Sequence, residues 1–538
     1  MTLATLKQRY FANLPSDDET TAVEFCVDGV GYLRAAHDEI ALTQSGDAVY
    51  LAGWFFDPNL DLTGHAPGDP AHLPVADLLA DKAHNGVDVR LVLNGAQYLG
   101  ALGAPGYGTC YEAMQHLRSR RPPGAASPPL ADRVLYDWSG AEMTGSNHQK
   151  AIVVRRNDHL VAFLAGIDIN PLMVDQAPHN TQTLPGTSVQ WGWHDGGVRL
   201  EGGAALAAYH NFRDRWLEAS TLPTAMLLVK DITHKIPRLV RYTPPTTTPV
   251  PDLPAVKPPP QPNAGTSVQI LRSRFKTKLN RPFQKQTWRT AGGGELTEVF
   301  QTLTHAIDGA QRYIYLEDQF LADHPPLPGP LDHAVWTAVD VVLGGRRLAQ
   351  YSLFPHLEAA IKRGVVLIMI GSGYADPGDL LPGPKNRTLN RQLDQLAQIA
   401  PDRLAVWRLE GMTVHTKLCV IDDAFAAIGS ANLQSRSMIG IDSELQAAIV
   451  SENDLVKDLR ARLWAEHLGL NHSATSGPLR QDLDDLDIAL GMWRPAWGRN
   501  DGTWFTTGKP TGFTPAVLAA DGTRSRIVRA YVGPGPQP

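Results

Sequence analysis

Apolar and polar positions follow the same succession of rhythms twice along this chain. A dense apolar run at Val49–Phe56 reads as a buried strand, and Tyr313–Phe320 reads the same way. Each is followed by a helical spacing that runs into Gly-Val and a second apolar strand, over Leu78–Leu93 and then over Leu357–Ile370. Next comes a strand opening on His-x-Lys, a turn of small residues and one more strand. Each stretch closes on an aromatic-rich helical segment, Tyr209–Trp216 and Leu459–Leu470. Strands alternating with helices predict an α/β fold with mixed sheets. Repetition on this scale predicts two similar halves.

Between the halves the pattern stops. Residues 244–262 hold nine prolines, which remove backbone donors and favour extended chain, so this stretch reads as a linker or belt outside the core. The expected organisation is an N-terminal half at 1–225, a Pro-rich linker at 226–265, a C-terminal half at 266–470 and a loop-rich extension at 471–538. The extension carries Trp493, Trp497 and Trp504, which suit packing over the second half or contact with a lipid interface. Loops 95–130 and 321–350, rich in Gly and Pro, are the expected seat of substrate preference.

Composition narrows the classes. A chain of 538 residues with 43% hydrophobic content can bury more than one core. A net charge of −6 does not favour broad nucleic-acid binding. Cys26, Cys110 and Cys419 are too few and too scattered for a disulfide scaffold or a zinc-finger spacing. The first residues lack the apolar stretch of a secretory signal, and no apolar run reaches the roughly 20 residues that span a bilayer. The expectation is therefore a peripheral monomer, cytoplasmic or exported without a classical signal peptide.

The chemistry concentrates in the two His-x-Lys strands. The second reads His415-Thr-Lys417, then Asp422, Gly429-Ser-Ala-Asn432 and Asp442-Ser-Glu444. Residues two apart on a strand share a face, so His415 and Lys417 project together. With Ser430 and Asn432 as neutral donors, they form an anion cradle. The first reads His148-Gln-Lys150, then Arg155, Asp158 and Ala165-Gly-Ile-Asp168. His415 to Asn432 spans 432 − 415 = 17 positions and His148 to Asp168 spans 168 − 148 = 20, so the first copy has three extra residues, assigned to the hairpin turn. Asp158 is expected to take the place of Asp422, since Arg155 stands at the matching spacing.

His-x-Lys-x4-Asp followed by Gly-Ser-x-Asn, present twice, resembles the phospholipase D superfamily. Flanking segments strengthen the resemblance and point to its eukaryotic-type phosphatidylcholine-cleaving members: Trp193-His-Asp195-Gly-Gly-Val-Arg-Leu-Glu201, Tyr315-Leu-Glu-Asp-Gln-Phe320 and the helix Leu459–Gly469. The resemblance implies two α/β/α sandwich halves related by a pseudo-twofold, with one active site shared at their interface. It implies hydrolysis of the distal phosphodiester of a glycerophospholipid, at a membrane or micelle surface, to phosphatidic acid and the head-group alcohol. Short alcohols are expected to intercept the intermediate. A nuclease or another phosphodiesterase of the same superfamily, and an inactive lipid-binding scaffold, are the alternatives.

A neutral imidazole attacks a phosphodiester without bringing a repelling charge, a second imidazole serves the leaving group, and two lysines neutralise the phosphoryl oxygens. The resemblance assigns His148 as nucleophile and His415 as general acid and base, with Lys150 and Lys417 on the phosphate. Glu444 is the expected ring partner of His415, and Asp195 that of His148. Ser430, Asn432, Asp168 and Gln319 are expected to line the substrate pocket, with Glu317 facing it from the same strand as Gln319. This scheme requires no metal or cofactor. His179, His194, His210, His305 and His467 are read as packing or surface histidines.

Overall fold

The computed structural model describes residues 1–95, 110–139, 146–177, 179, 182–183, 190–229, 238–253, 256–274, 296–319, 348–372, 387–409, 412–468, 478–493 and 527–529. Phe320, Trp497, Trp504, residues 96–109 of the first loop singled out above and 321–347 of the second lie outside the described residues, and the rest of the first loop includes the helix Tyr111–Ser119.

Two large mixed sheets carry the same seven strands in the same spatial order. The first runs Thr21–Val27, Gly196–Gly202, His159–Ala165, Ala151–Arg156, Ala48–Gly53, Asp88–Asn94, Val134–Asp137. The second runs Thr266–Arg274, Asp442–Ser451, Phe425–Gly429, Lys417–Ile421, Tyr313–Asp318, Val366–Ser372, Leu404–Leu409. In each, the last three strands are parallel to one another and the rest pair antiparallel. The parallel strands read as unbroken apolar runs because both of their faces are covered.

Alternation along these strands sorts the core into three layers. Tyr50, Val153 and Ala162 of the first sheet, with Tyr315, Val420 and Ala447 of the second, face one central layer. That layer is filled by the helices Gly203–Ser220 and Leu455–His467, through Phe212, Trp216 and Trp464. The opposite face of the first sheet packs on the helices Gly29–Ala41, Val75–His84 and Tyr111–Ser119. The opposite face of the second packs on Glu298–Gly309, Phe354–Arg363 and Arg387–Ile399. Helix Phe354–Arg363 ends where Gly364 adopts φ +105°, a conformation that favours glycine, and the next strand begins at once.

The structure departs from the sequence reading at three places. Helix Leu3–Tyr10 packs on the second half through Leu6, Tyr10 and Phe11, and Asp17–Asp18 pairs with Thr266–Arg274, so the chain starts on the far half. Residues Ala225–Val229 and Arg238–Tyr242 of the expected linker form a hairpin that buries Leu227, Val229 and Tyr242 in the first half. The proline belt that follows is tied down by its carbonyls: Thr248 accepts from Arg90 and Trp216, and Pro251 from Tyr209. Finally, the described part of the extension is regular rather than loop-rich: two helices, and a strand Ile527–Arg529 that pairs antiparallel with Leu404–Leu409. Pro478–Asp484 and Leu486–Trp493 place Leu483, Leu490 and Trp493 in the central layer, so Trp493 does not meet lipid. Three hydrophobic anchors over four turns outweigh the local Gly and Pro that suggested loops.

Candidate active site

The halves meet through two short parallel ladders, and each leads directly into a histidine. Ser146 and Asn147 pair with Asp442 and Ser443, and Met412–Val414 pairs with Gly192–His194. The His148 N–H then donates to the Ser443 carbonyl at 3.0 Å, and the His415 N–H to the His194 carbonyl at 2.7 Å. Each histidine is thus held by the residue that precedes the other half's acid.

This crossing reverses the expected pairing. His148 Nδ1 lies 3.0 Å from Glu444 Oε2 and 3.0 Å from the Ser430 carbonyl. His415 Nδ1 lies 2.7 Å from Asp195 Oδ2. Glu444 therefore serves His148, and Asp195 serves His415. Both acids open equivalent strands, and a side chain at that strand end faces across the interface rather than back into its own sheet.

The acids are held differently. Ser430 Oγ donates to Glu444 at 2.6 Å and Ser437 Oγ at 2.7 Å. Ser430 also accepts the Leu445 N–H, so its hydroxyl is committed to the acid rather than lining the phosphate pocket as expected. The shorter Asp195 accepts its own neighbour's N–H, from Gly196, at 2.7 Å. The counterpart of Ser430 in the first half is Gly166, where a Cβ would run into Asp195 Oδ1 and the His415 carbonyl. Glycine is required there by close approach.

Both lysines turn back to their own histidines' carbonyls, Lys150 Nζ to His148 O at 3.0 Å and Lys417 Nζ to His415 O. Their carboxylate neighbours come from different places. In the first half, Asp168 Oδ2 lies 3.3 Å from Lys150, and Asp168 Oδ1 accepts the N–H groups of Trp54 and Phe55 at 3.0 Å. In the second half Asn432 occupies the Asp168 position, and the carboxylate comes from Asp318, opposite Lys417 on the next strand. Asp318 in turn accepts the Leu433 N–H at 2.8 Å. Each strand end is thereby tied to its neighbouring turn, with the acid on opposite sides of the tie. Asn432 Oδ1 is buried without a hydrogen-bond partner.

Burial dominates the electrostatics. It pushes the His415 imidazole well below its ordinary value, helped by Lys417, Lys150 and His148, which favours the neutral ring. Burial raises the Asp195 carboxyl to about 6, against the pull of Lys417 and the Gly196 N–H. It lowers the Lys417 ammonium to about 8, against Asp195 and Asp318. An anionic phosphate entering the pocket would oppose the first and last of these shifts.

Two residues that sequence reasoning passed over flank the site. The Trp54 ring lies 5.7 Å from the His148 ring and 5.4 Å from Lys150 Nζ, and Trp193 lies 5.2 Å from His415. Trp54 was visible as an aromatic at the end of an otherwise aliphatic strand. Gln319 sits half-buried at the matching end of the second sheet. Glu317 does not face the pocket: it points into the central layer, where it accepts from His194 Nε2 at 3.0 Å, His467 Nε2 at 2.8 Å and the Tyr315 hydroxyl. His179, His194 and His467 are likewise buried within hydrogen-bonding distance of carboxylates rather than spread over packing and surface.

Asp158 does not replace Asp422. It is exposed and pairs with Lys257 of the belt. Arg155 stands at the Asp422 position, opposite Ala48, and donates to the Gly46 carbonyl. The three extra residues do not lengthen the turn either. The first hairpin pairs six positions per strand around the two-residue turn Asn157-Asp158, while the second pairs four around residues 422–424.

A family model for the cardiolipin synthase, phospholipase D-like domain matches residues 341–466. The chain is 24% identical over 514 residues to phospholipase D alpha 4 of Arabidopsis thaliana, covering 80% of this chain and 62% of that one. It is 23% identical over 530 residues to phospholipase D2 of Bos taurus, covering 82% of this chain and 50% of that one. The chain thus spans less than two thirds of the length of these relatives. Among solved structures, phosphatidylserine synthase of Haemophilus influenzae Rd KW20 aligns with a TM-score of 0.46 at 14% identity, over 84% of this chain and 87% of that one. Plant and mammalian relatives named phospholipase D align across both halves, so the chain is similar to the phospholipase D superfamily over most of its length.

Proposed function

We propose that this protein is a phospholipase D-type phosphodiesterase that cleaves the distal phosphodiester of glycerophospholipids, using one site built from both halves. The observation that carries the reading is the crossed pair of His–acid contacts, His148 with Glu444 and His415 with Asp195, each closing only when the two halves meet. A carboxylate on Nδ1 sets the tautomer that leaves Nε2 for chemistry.

His148 Nε2 attacks phosphorus, and the bond to the head-group oxygen breaks as His415 gives that oxygen a proton. Burial and the neighbouring cations favour the neutral His415 ring; the phosphate charge, offsetting Lys150 and Lys417, together with the Asp195 carboxylate, lets it hold the proton it must deliver. Water then attacks the phosphohistidine, His415 takes its proton, and the P–N bond breaks to release phosphatidic acid. Lys150 and Lys417 neutralise the phosphoryl oxygens throughout. Asn432, Asp168, Gln319 and Trp54 shape the pocket around the head group. No helix among the described residues is long and apolar enough to cross a membrane, in keeping with a peripheral approach to the lipid surface.

Lipid mass spectrometry with mixed phosphatidylcholine and phosphatidylethanolamine vesicles, with ethanol present, tests this reading. Phosphatidic acid together with phosphatidylethanol is expected. Intact lipids, alongside cleavage of single-stranded DNA by the same preparation, would replace the lipid reading with a nuclease.

A further inference from the structure

Behind the catalytic pair, four side chains from four separate segments converge: buried Asp28, His179 and His194, and partly buried Glu466. Three come from the first half and Glu466 from the central helix of the second. Their donor atoms all lie within 4.8 Å of one another. His179 Nε2 is 2.8 Å from Glu466 Oε1 and 3.5 Å from Asp28 Oδ2. His194 Nδ1 is 3.0 Å from Asp28 Oδ1 and 3.3 Å from Glu466 Oε1. Four donors held tetrahedrally at zinc's usual bond lengths stand roughly 3.3 Å apart, a value that these four distances bracket.

The outward-facing nitrogens complete the pattern. His179 Nδ1 lies 3.3 Å from Asp175 Oδ2, and His194 Nε2 lies 3.0 Å from Glu317 Oε2. With the ring protons on those nitrogens, the lone pairs of His179 Nε2 and His194 Nδ1 both point at the centre. Carboxylate-oriented imidazoles of this kind are the usual support of a metal ligand. His194 supplies the second observation. The residue is fully buried, and its Nδ1, although within ion-pair reach of Asp28, makes no hydrogen bond. A network of two imidazolium rings would need a proton on that nitrogen directed at a carboxylate. A metal needs a lone pair there instead.

We infer that Asp28, His179, His194 and Glu466 form a structural binding site for one divalent transition-metal ion, with zinc the best match to two imidazoles and two carboxylates. The neighbouring trio of His194, Glu317 and His467 is a weaker alternative, because both Glu317 oxygens are already engaged by ring nitrogens and Tyr315. The bound ion clasps the two halves together. It also anchors the strand end that holds His415, since the His194 carbonyl accepts the His415 N–H and Asp195 follows it.

The test uses the full chain, stripped with a chelator and titrated with zinc. One ion per chain and a raised Tm are expected. His179→Ala and Glu466→Gln should each weaken binding by more than the roughly 10–100-fold typical of losing a supporting residue. Failure of the wild-type chain to bind zinc, or unchanged binding in both variants, overturns the site. Should the variants not fold, the cobalt-loaded wild-type chain decides: two paramagnetically shifted imidazole N–H signals are expected, and their absence overturns the site.

Discussion

Asp195 and Glu444 each serve the histidine of the opposite half, and this changes what substitutions there will do. Asp195→Asn should lower kcat by roughly 10²–10⁴-fold, the range of a general acid–base contribution. Combined with His415→Ala it should cost nothing further, because the acid acts through that ring. Combined with His148→Ala, Glu444→Gln should show the same redundancy. Additive losses within either pair, measured as head-group release, would contradict the crossing. Lys417 adds a pH signature. Its ammonium, lowered to about 8 by burial, is charged below that pH and neutral above it, so kcat/KM should fall on the alkaline side near pH 8. The alkaline limb of kcat should lie at higher pH, because bound phosphate favours the charged amine. Coincident limbs in a steady-state pH series would speak against a lysine in contact with phosphate. The His and Lys residues themselves were legible in the sequence, since their spacing along one strand is local. Their acids were legible as residue types but not as partners, being 220 and 296 positions from the rings that they touch.

Among the elements, the two hairpins show how a repeat diverges without losing its register. Asp422 accepts the N–H groups of Gln311, Arg312 and Tyr313 and the Tyr10 hydroxyl, fixing the head of the strand that ends at Asp318. In the first half this clamp is replaced. Arg155 donates to Gly46, and Asp47 accepts the N–H groups of Gln44 and Asn157. Asp422→Ala should therefore destabilise the chain by about 1–3 kcal/mol, the range for losing hydrogen bonds to a charged acceptor. Asp158→Ala should leave the midpoint in urea unchanged. A comparable loss in Asp158→Ala would restore the sequence reading of that residue. That reading counted spacing from Asp168 and placed the extra residues in a turn. The backbone added them to the strands instead, a choice set by pairing to Ala48–Gly53 and Gly196–Gly202, which periodicity within one segment does not reveal.

At the level of the whole molecule, the duplicated strand order and the shared helical layer explain why neither half carries a complete site. Two sheets with the same order were legible, because each strand and helix of one half has a counterpart in the pattern of the other. The start of the chain was not, since helix Leu3–Tyr10 is a short amphipathic segment whose partner surface belongs to the far half. The buried histidines were not either, since their acidic neighbours come from four segments. The claim that one site is shared between the halves is tested most directly by kcat for head-group release in His148→Ala, His415→Ala and the double variant. A shared site predicts that each single substitution brings turnover to the same floor as the double. Two independent sites would leave each single variant with about half of the wild-type rate, and that result would contradict the account.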